Sequence, residues 1–330
     1  MPHMWKRAAL AARVEAAPGT PEALSWSTDA IRVLGAMIPQ RDWLAPNRRD
    51  DAITGSLDTP PSAEPAGEYY RIPLRFPLIG AGSAYAYTNE TTKNVPECHA
   101  LLRAAGMSLA VTGGGGSEAA TYSQNDDPVT TITIWLEVGG KKYVFTACQA
   151  ESFKQVWAAG SFPVVEATFI GVANALTEQA LEAATYDSFT AAPWTNMKGT
   201  QALVVGSFEP EFQGVDIEHG LSTGPLLNGN AADAHGGYKI TSRRLVLTVR
   251  ARTPALASWD PMLDEKNKTP RAITMRAGLA AAGGQYKRVK FSAASGVAEN
   301  VQMAQDGDFI NWTVPYNLGT ASPTANLIFD

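Results

Sequence analysis

Short runs of alternating apolar and polar residues recur along the chain, which is the pattern of β-strands with one buried face. In residues 69–80, every second side chain from Tyr70 to Leu78 is apolar. Residues 131–138 and 141–149 alternate in the same way and flank a Gly-Gly pair, which predicts a hairpin with a tight turn. These patterns predict a mainly β fold.

The same order of elements occurs twice along the chain. A strand, a long polar loop, a second strand, a helical patch, a hairpin and a last strand follow one another in each half. In the first half they are residues 30–39, 40–68, 69–80, 96–106, 131–149 and 162–172. In the second half they are residues 202–210, 213–238, 243–252, 254–264, 272–293 and 308–318. We therefore predict two copies of one β unit, each with a short flanking helix.

The predicted organisation has an arm and two β domains. They are an irregular N-terminal arm over residues 1–29, a first domain over 30–190 and a second over 191–330. Within the arm, residues 6–17 show weak helical periodicity. Residues 40–68 carry four prolines and residues 213–238 carry six glycines and one proline, so both are predicted as long loops. Loops of that length inside a compact domain are usually functional or disordered.

The charge of the chain argues against a basic nucleic-acid-binding surface. Its net charge is −5 over 330 residues. Residues 1–190 hold 14 basic and 20 acidic side chains, and residues 191–330 hold 13 and 12, so the halves carry −6 and +1. The two cysteines, Cys98 and Cys148, predict small buried side chains and not a disulfide framework. No apolar run reaches the length of a signal sequence or a membrane span, so we expect folding in a reducing cytoplasm.

No motif in the sequence points to catalysis. The four histidines lack metal-site spacing, and neither a phosphate-binding loop nor a nucleophile elbow is present. Carboxylates in strand patterns, Glu137, Glu151 and Glu166, are either an acid–base set or solvated outward side chains. Arginines on the strands of residues 69–80 and 243–252 fit phosphate contacts or interface ion pairs. We predict no catalytic residue, no cofactor and no metal ligand.

Three segments resemble tail tube proteins of long-tailed, non-contractile bacteriophages. They are residues 6–21, residues 97–108 (ECHALLRAAGMS) and the hairpin region of residues 130–172. The resemblance implies two tandem β-sandwich or half-barrel domains, each with a flanking helix. It implies rings whose inner sheets join into one barrel and stack into a tube that delivers the genome. With two domains per chain, it implies trimeric, pseudo-hexameric rings without catalytic residues or a cofactor.

The resemblance also assigns roles to residues and partners. The long loops become arms that reach the next ring, with these candidates: Arg41, Asp42, Trp43, Arg48, Arg49, Asp50, Asp51, Asp216, Glu218 and His219. Glu137, Glu151 and Glu166 become lumen-facing candidates in a channel that repels phosphate. Arg276, Lys287, Arg288 and Lys290 argue against a uniformly acidic lumen.

The implied partners are other copies of the chain and the terminator, tape measure and tail-tip proteins. DNA would pass without specific binding, and no membrane partner is expected. The implied location is the virion tail, after assembly in the host cytoplasm. Two alternatives stay open: another tail component, such as a terminator or a contractile-tail tube protein, and a carbohydrate-binding or hydrolytic β-sandwich. The last would need a cleft with clustered carboxylates and aromatic side chains.

Overall fold

The fold is mainly β, as the alternating pattern predicted. The structure is a computed structural model, and it describes residues 8–35, 37–49, 63–114, 118–178, 184, 197–198, 202–227, 235–278, 288–306, 309–319 and 325–330. Seventeen strands pair into one antiparallel network, and four more form two small hairpins. Within these ranges no helix has the length and apolar character needed to cross a bilayer.

The first half of the chain forms unit 1. Its strands are β1 (Ala8–Val14), β2 (Ala30–Ile31), β3 (Gln40–Arg49), β4 (Ala63–Pro77), β5 (Ala86–Tyr87), β6 (Lys93–Asn94), β7 (Met107–Thr112), β8 (Ala119–Gln124), β9 (Ile132–Val138), β10 (Lys141–Ala158) and β11 (Val164–Glu178). Its helix is α1 (His99–Ala104), whose side chains are buried except for Arg103. Burial on nearly every side explains why this short helix is almost wholly apolar.

The second half forms unit 2. Its strands are β12 (Leu203–Val205), β13 (Phe212–Glu218), β14 (Ser222–Leu227), β15 (His235–Ser242), β16 (Val246–Arg252), β17 (Pro270–Ala277), β18 (Val289–Ala298), β19 (Gln302–Asp306), β20 (Phe309–Asn317) and β21 (Ala325–Phe329). Its helix is α2 (Pro261–Asn267). Asp260 caps this helix by accepting the Leu263 N–H at 3.0 Å, and Lys268 ends it with a φ of 52°.

The two units repeat the same pairing order. In unit 1 the order is β1–β9–β10–β11–β4. In unit 2 it is β12–β17–β18–β20–β16, with β19 continuing β18 along β20 and β21 continuing β20 along β18. The repeat predicted from the sequence is therefore present in the strand pairing.

A β-bulge occurs at the same place in both units. In unit 1 the register against β9 slips between Phe145 and Cys148. In unit 2 the register against β17 slips between Ala293 and Gly296. Both slips place one extra residue on the longer strand. Phe145 and Ala293 are 148 positions apart in the chain, and so are Cys148 and Gly296.

One long sheet runs through both units. Its strand order is β3–β4–β11–β10–β13–β16–β20–β19, so β10 of unit 1 pairs directly with β13 of unit 2. One row of opposed residues crosses six of these strands on the core side with 0% exposure: Phe76, Val165, Gln155, Ile217, Leu247 and Tyr316. The core is thus continuous across the junction between the units.

A second junction joins the units on the other side of the core. The β7–β8 hairpin has no counterpart in unit 2, where α2 leads almost directly into β17. Its strand β8 pairs with β21, the last strand of unit 2. The predicted boundary at residue 190 lies outside the described residues, and the units on either side of it share paired strands.

Several segments predicted as loops or helix are strands. Residues 8–14, predicted as part of a weakly helical arm, form β1 and pair with β9 along their length. Among the described residues of the range 30–39, only Ala30–Ile31 forms a strand, and β12 has its counterpart in β1. The loop of residues 40–68 contains β3 and the first part of β4, which pair as a hairpin. The loop of residues 213–238 contains most of β13, all of β14 and the start of β15.

The predicted Gly-Gly turn is present between β9 and β10. Gly139 and Gly140 have φ values of 60° and 76°, the left-handed conformation that such a turn requires. The corresponding Gly283 and Gly284 lie outside the described residues. Helix α1 lies within the predicted residues 96–106, whereas α2 overlaps only the last four residues of the predicted patch 254–264 and continues to Asn267.

Candidate functional site

One face of the long sheet is polar and open to solvent, and we call it the polar face. Alternate residues of each strand point to this face, opposite the buried row. The row next to the core row is Arg75, Glu166, Lys154, Glu218, Val246 and Asn317. No aromatic side chain belongs to this row, and charged side chains of both signs alternate along it.

Asp216 is the centre of an ion-pair cluster where the two units meet on the polar face. Its carboxylate lies 2.7 Å from Arg250 Nη1 and 3.2 Å from Lys154 Nζ. Burial alone would raise the pKa of Asp216, but the hydrogen bonds and charges of Arg250 and Lys154 outweigh it and hold the pKa below its usual value. Lys154 belongs to unit 1 and the other two residues to unit 2, so the cluster joins the units electrostatically.

Other ion pairs balance the remaining charges on or beside this face. They are Arg71–Glu151 at 2.8 Å, Arg75–Glu166 at 3.4 Å, Lys154–Glu218 at 3.7 Å and Arg252–Glu211 at 3.3 Å. Most of these side chains are more than a third exposed, so each pair adds little stability. Their effect is to neutralise one another, which leaves the face polar without a strong field of either sign.

Beneath the polar face, a buried polar contact fixes the register between β10 and β13. Gln155 and His219, which are 0% and 3% exposed, meet through their Nε2 atoms at 3.1 Å. The Gln155 side-chain oxygen accepts the Trp157 Nε1–H at 3.3 Å. Burial, followed by the charge of Arg243, lowers the pKa of His219 to about 3, so the imidazole is neutral at pH 7. It therefore accepts from the Gln155 amide, which requires this pairing of β10 with β13.

The long sheet ends at two strand edges. Among the described residues, β19 pairs with β20 alone and β3 pairs with β4 alone. Exposed apolar side chains lie on β19 and at the start of β20, with Met303, Phe309 and Ile310 at 54%, 53% and 55% exposure. At the opposite end, Ile38 is 61% exposed. Open edges with apolar side chains are sites at which further strands add.

The arm candidates of the first half occupy the base of the β3–β4 hairpin. Arg41 pairs with Glu68 at 2.9 Å and lies over the Trp43 ring. The Trp43 N–H, followed by the Tyr69 hydroxyl, lowers the pKa of Asp42. In the outer part of β3, the backbone of Arg48 and Arg49 faces Glu64 and Ala63 of β4. Asp50 and Asp51 lie outside the described residues.

The arm candidates of the second half lie elsewhere, so that prediction was wrong in position. Asp216 and Glu218 are in β13 within the long sheet, and His219 follows directly and is buried. The element that projects from unit 2 is the β14–β15 hairpin. This hairpin lies between β13 and β16 in the chain. The β3–β4 hairpin has the equivalent position in unit 1, because it comes directly before the main part of β4, the counterpart of β16.

The three lumen candidates separate into two groups. Glu166 lies on the polar face and Glu151 is bonded to Arg71 beside it. Glu137 is on β9, outside the long sheet, and is 2% exposed, so it does not face solvent with the other two. Its side of β9 is covered by the segment around Leu24 and Trp26.

Sequence reasoning missed Lys154 and Gln155 as members of this site. Lys154 and Gln155 lie in the part of β10 beyond residue 149. Phe153, Gln155 and Trp157 share one face of this strand, and Gln155 is the polar residue among them. The signal available was the alternation itself, since Gln155 occupies an apolar position.

The described residues contain no group of three His, Cys, Asp or Glu side chains placed to hold a metal ion. No protein-family model matches the chain, and no curated protein matches it significantly.

Proposed function

We propose that the chain is a structural subunit of a hollow tube, the major tail tube protein of a long-tailed bacteriophage. The observation that carries the proposal is the long sheet, which already joins two repeated units edge to edge and ends in two further edges. Its polar, charge-balanced face would line the channel. The resemblance of residues 6–21, 97–108 and 130–172 to tail tube proteins supports the same function.

The junction inside the chain is a template for the junction between chains. β13 of unit 2 pairs with the second half of β10 in unit 1. The unit 2 counterpart of that half of β10 is β19. The second half of β10 pairs with β11, and β19 pairs with β20, which is the counterpart of β11. The counterpart of β13 in unit 1 is the segment of residues 32–35 and 37–38 beside β4, where the Leu34 N–H donates to Arg75 O at 2.6 Å.

Applying the same contact again would bring residues 32–38 of one copy to β19 of the next. This interface joins two different surfaces, so repetition gives a ring where the rotation closes. Closure would pair each β19 edge with residues 32–38 of a neighbouring copy and cover Met303 and Ile38. Three chains would then supply six units, as the resemblance implies.

The polar face suits passage of a polyanion. A protein binds DNA by neutralising phosphates with free Lys and Arg side chains. On this face Arg75, Lys154 and Arg250 are each engaged by a carboxylate. A carbohydrate-binding role would instead call for exposed aromatic side chains, and the row of the polar face described above has none.

Negative-stain electron microscopy of the purified chain, with Met303→Lys as the test variant, examines the proposal. We expect rings or tubes with a central channel for the natural chain. Lysine at position 303 should prevent them, because burying its charge opposes the roughly 1.5–3 kcal/mol gained by burying a methionine side chain. Met262→Lys is the matched control, since Met262 is 42% exposed and lies on α2, not on an edge strand of the long sheet.

A natural chain that stays a monodisperse monomer at high concentration would refute the proposal. Normal rings from Met303→Lys would refute the assignment of β19 to the interface.

A further inference from the structure

The β14–β15 hairpin of unit 2 covers the bulge of unit 1. The Ile240 N–H donates to Gln149 Oε1 at 2.9 Å, just beyond the bulge. A Cβ at Gly237 would lie 2.7 Å from the Ala147 Cβ, so the two backbones touch. As a result Thr146, Ala147 and Gln149 are 7%, 2% and 1% exposed.

The hairpin also packs beside the bulge on two strands of the long sheet. The Tyr238 ring contacts the Tyr69 ring edge-on with centroids 5.3 Å apart. Tyr69, Ile170 and Tyr238 form a separate small apolar cluster. Docking of this hairpin therefore has two parts, one on the bulge and one on β4 and β11.

The equivalent surface of unit 2 is uncovered. At its bulge Ala294 is exposed and Ser295 and Val297 are half-buried, in contrast to their buried counterparts in unit 1. The strand registers make Arg244 the counterpart of Tyr69, and Asn317 the counterpart of Ile170. Beside the bulge, these two residues also line a cavity of about 190 Å³, whose other walls include β15 and the loop of residues 125–128. The same site is thus filled in one unit and open in the other.

We infer that the β3–β4 hairpin of a second copy of this chain occupies the open site on unit 2. The β3–β4 hairpin is the counterpart of the β14–β15 hairpin, but in its own chain it does not cover the bulge of unit 2, where Ala294 is exposed. In the proposed ring, unit 1 of the next copy contacts unit 2 in the same way as unit 2 contacts unit 1 within one chain. This contact would bring the β3–β4 hairpin of the next copy to the open bulge. The inference rests on the proposed ring.

The chemistry of the two surfaces agrees with this pairing. The open site is polar, because Arg244 is 65% exposed in its side chain and bonds to Glu299 at 2.9 Å, and Asn317 also donates to Glu299. The β3–β4 hairpin presents Arg41, whose side chain is 52% exposed, and its ion-pair partner Glu68. The apolar docking of unit 1 is replaced by a polar one between copies.

Cysteine labelling tests this contact. Ala294→Cys places a thiol on the open bulge, and Thr146→Cys places one at the covered counterpart in unit 1. Cys98 and Cys148 are buried, so the natural chain gives the background. We expect a maleimide to label Ala294→Cys rapidly in dissociated subunits and at least about tenfold more slowly in assembled rings, because the site opens only by local undocking. Thr146→Cys should be protected in both states.

A second variant identifies what covers the thiol. Replacing residues 44–66 by a short turn removes the outer hairpin but keeps the main part of β4 from residue 67 onward. Rings of this chain should label Ala294→Cys at the rate of dissociated subunits. Persistent protection there would overturn the inference, as would rings of the full chain that label without protection, while both results leave the tube function intact. Absence of rings from the natural chain would overturn the tube function and this inference together.

Discussion

Replacing Glu15 by Gln should destabilise the fold strongly, because this buried carboxylate holds three separate segments together. Glu15 is 7% exposed and accepts four hydrogen bonds. The donors are Thr131 Oγ1 at 2.6 Å, Thr133 Oγ1 at 3.0 Å, the Ala147 N–H at 2.9 Å and the Gly19 N–H at 2.7 Å. The Ala147 N–H belongs to the bulge of β10, where Ala147 has a φ of 51°. The carboxylate thus stabilises a backbone conformation that is unfavourable for alanine.

The magnitude follows from what an amide can replace. Glutamine keeps one oxygen, which can still accept from Thr133 and Ala147. Its NH₂ group then faces Thr131, whose hydroxyl can turn and accept, and the Gly19 N–H, which cannot. One charge-assisted hydrogen bond is lost and the others are weakened, so we expect a loss of about 2–4 kcal/mol in the free energy of unfolding.

Urea unfolding monitored by tryptophan fluorescence measures this change. Trp26 and Trp135 lie 6.1 Å apart on this side of the unit and report on it. Glu22→Gln is the matched control, since Glu22 accepts the exposed Ala16 N–H at 2.9 Å and its loss should cost less than about 1 kcal/mol. Amide hydrogen exchange should also become faster at Ala147 in Glu15→Gln. Equal unfolding free energies for the two variants would refute the role given to Glu15.

Two further predictions concern the junction between the units. Because the pKa of His219 is lowered to about 3, the native imidazole stays neutral at pH 5, whereas His219 in the unfolded chain takes up a proton near pH 6.5. The free energy of unfolding should therefore fall by about 1.4 kcal/mol per pH unit as the pH drops from 6.5 toward 5. His219→Asn should remove this part of the pH dependence in urea titrations at pH 7 and pH 5, and an unchanged slope would contradict the assignment. Removing three carboxylates from the polar face, with Glu166→Gln, Asp216→Asn and Glu218→Gln, should free its Lys and Arg side chains and create DNA binding. The logarithm of the affinity should fall linearly with the logarithm of salt concentration. Glu22→Gln, Asp126→Asn and Asp127→Asn, which lie outside the strands of the long sheet, should not create it. Equal DNA binding by both triple variants in a fluorescence anisotropy titration would show that the balance on the face is unimportant.

The sequence was sufficient wherever local pattern and tertiary environment agree. The β9–β10 hairpin was predictable because its alternation is clear and its Gly-Gly turn has a conformational requirement that glycine meets. The order of the repeat was predictable because each element kept its type in both halves. The position of α1 followed from Pro96 and Gly106 at its borders.

The misplaced elements have different physical causes. β1 is buried on both faces, so its apolar residues do not alternate and the run resembles a weak helix. The strands β3 and β14 belong to hairpins that stand away from the main core, so neither carries a clear apolar face. Asp216 and His219 were assigned to a projecting loop because their neighbours are glycines. Their partners, Lys154 and Gln155, are more than 60 positions away in the chain, and only the fold brings them together.

The β7–β8 hairpin has a consequence for the arithmetic of any assembly. It belongs to unit 1 but pairs with the last strand of unit 2, so cutting the chain between the units would expose the edges of β8, β21, β10 and β13 at once. A single unit is therefore not a usable building block, and every closed ring must contain an even number of units. Because only unit 1 carries this hairpin, a protein that recognises it would find one site for every two positions around the circumference.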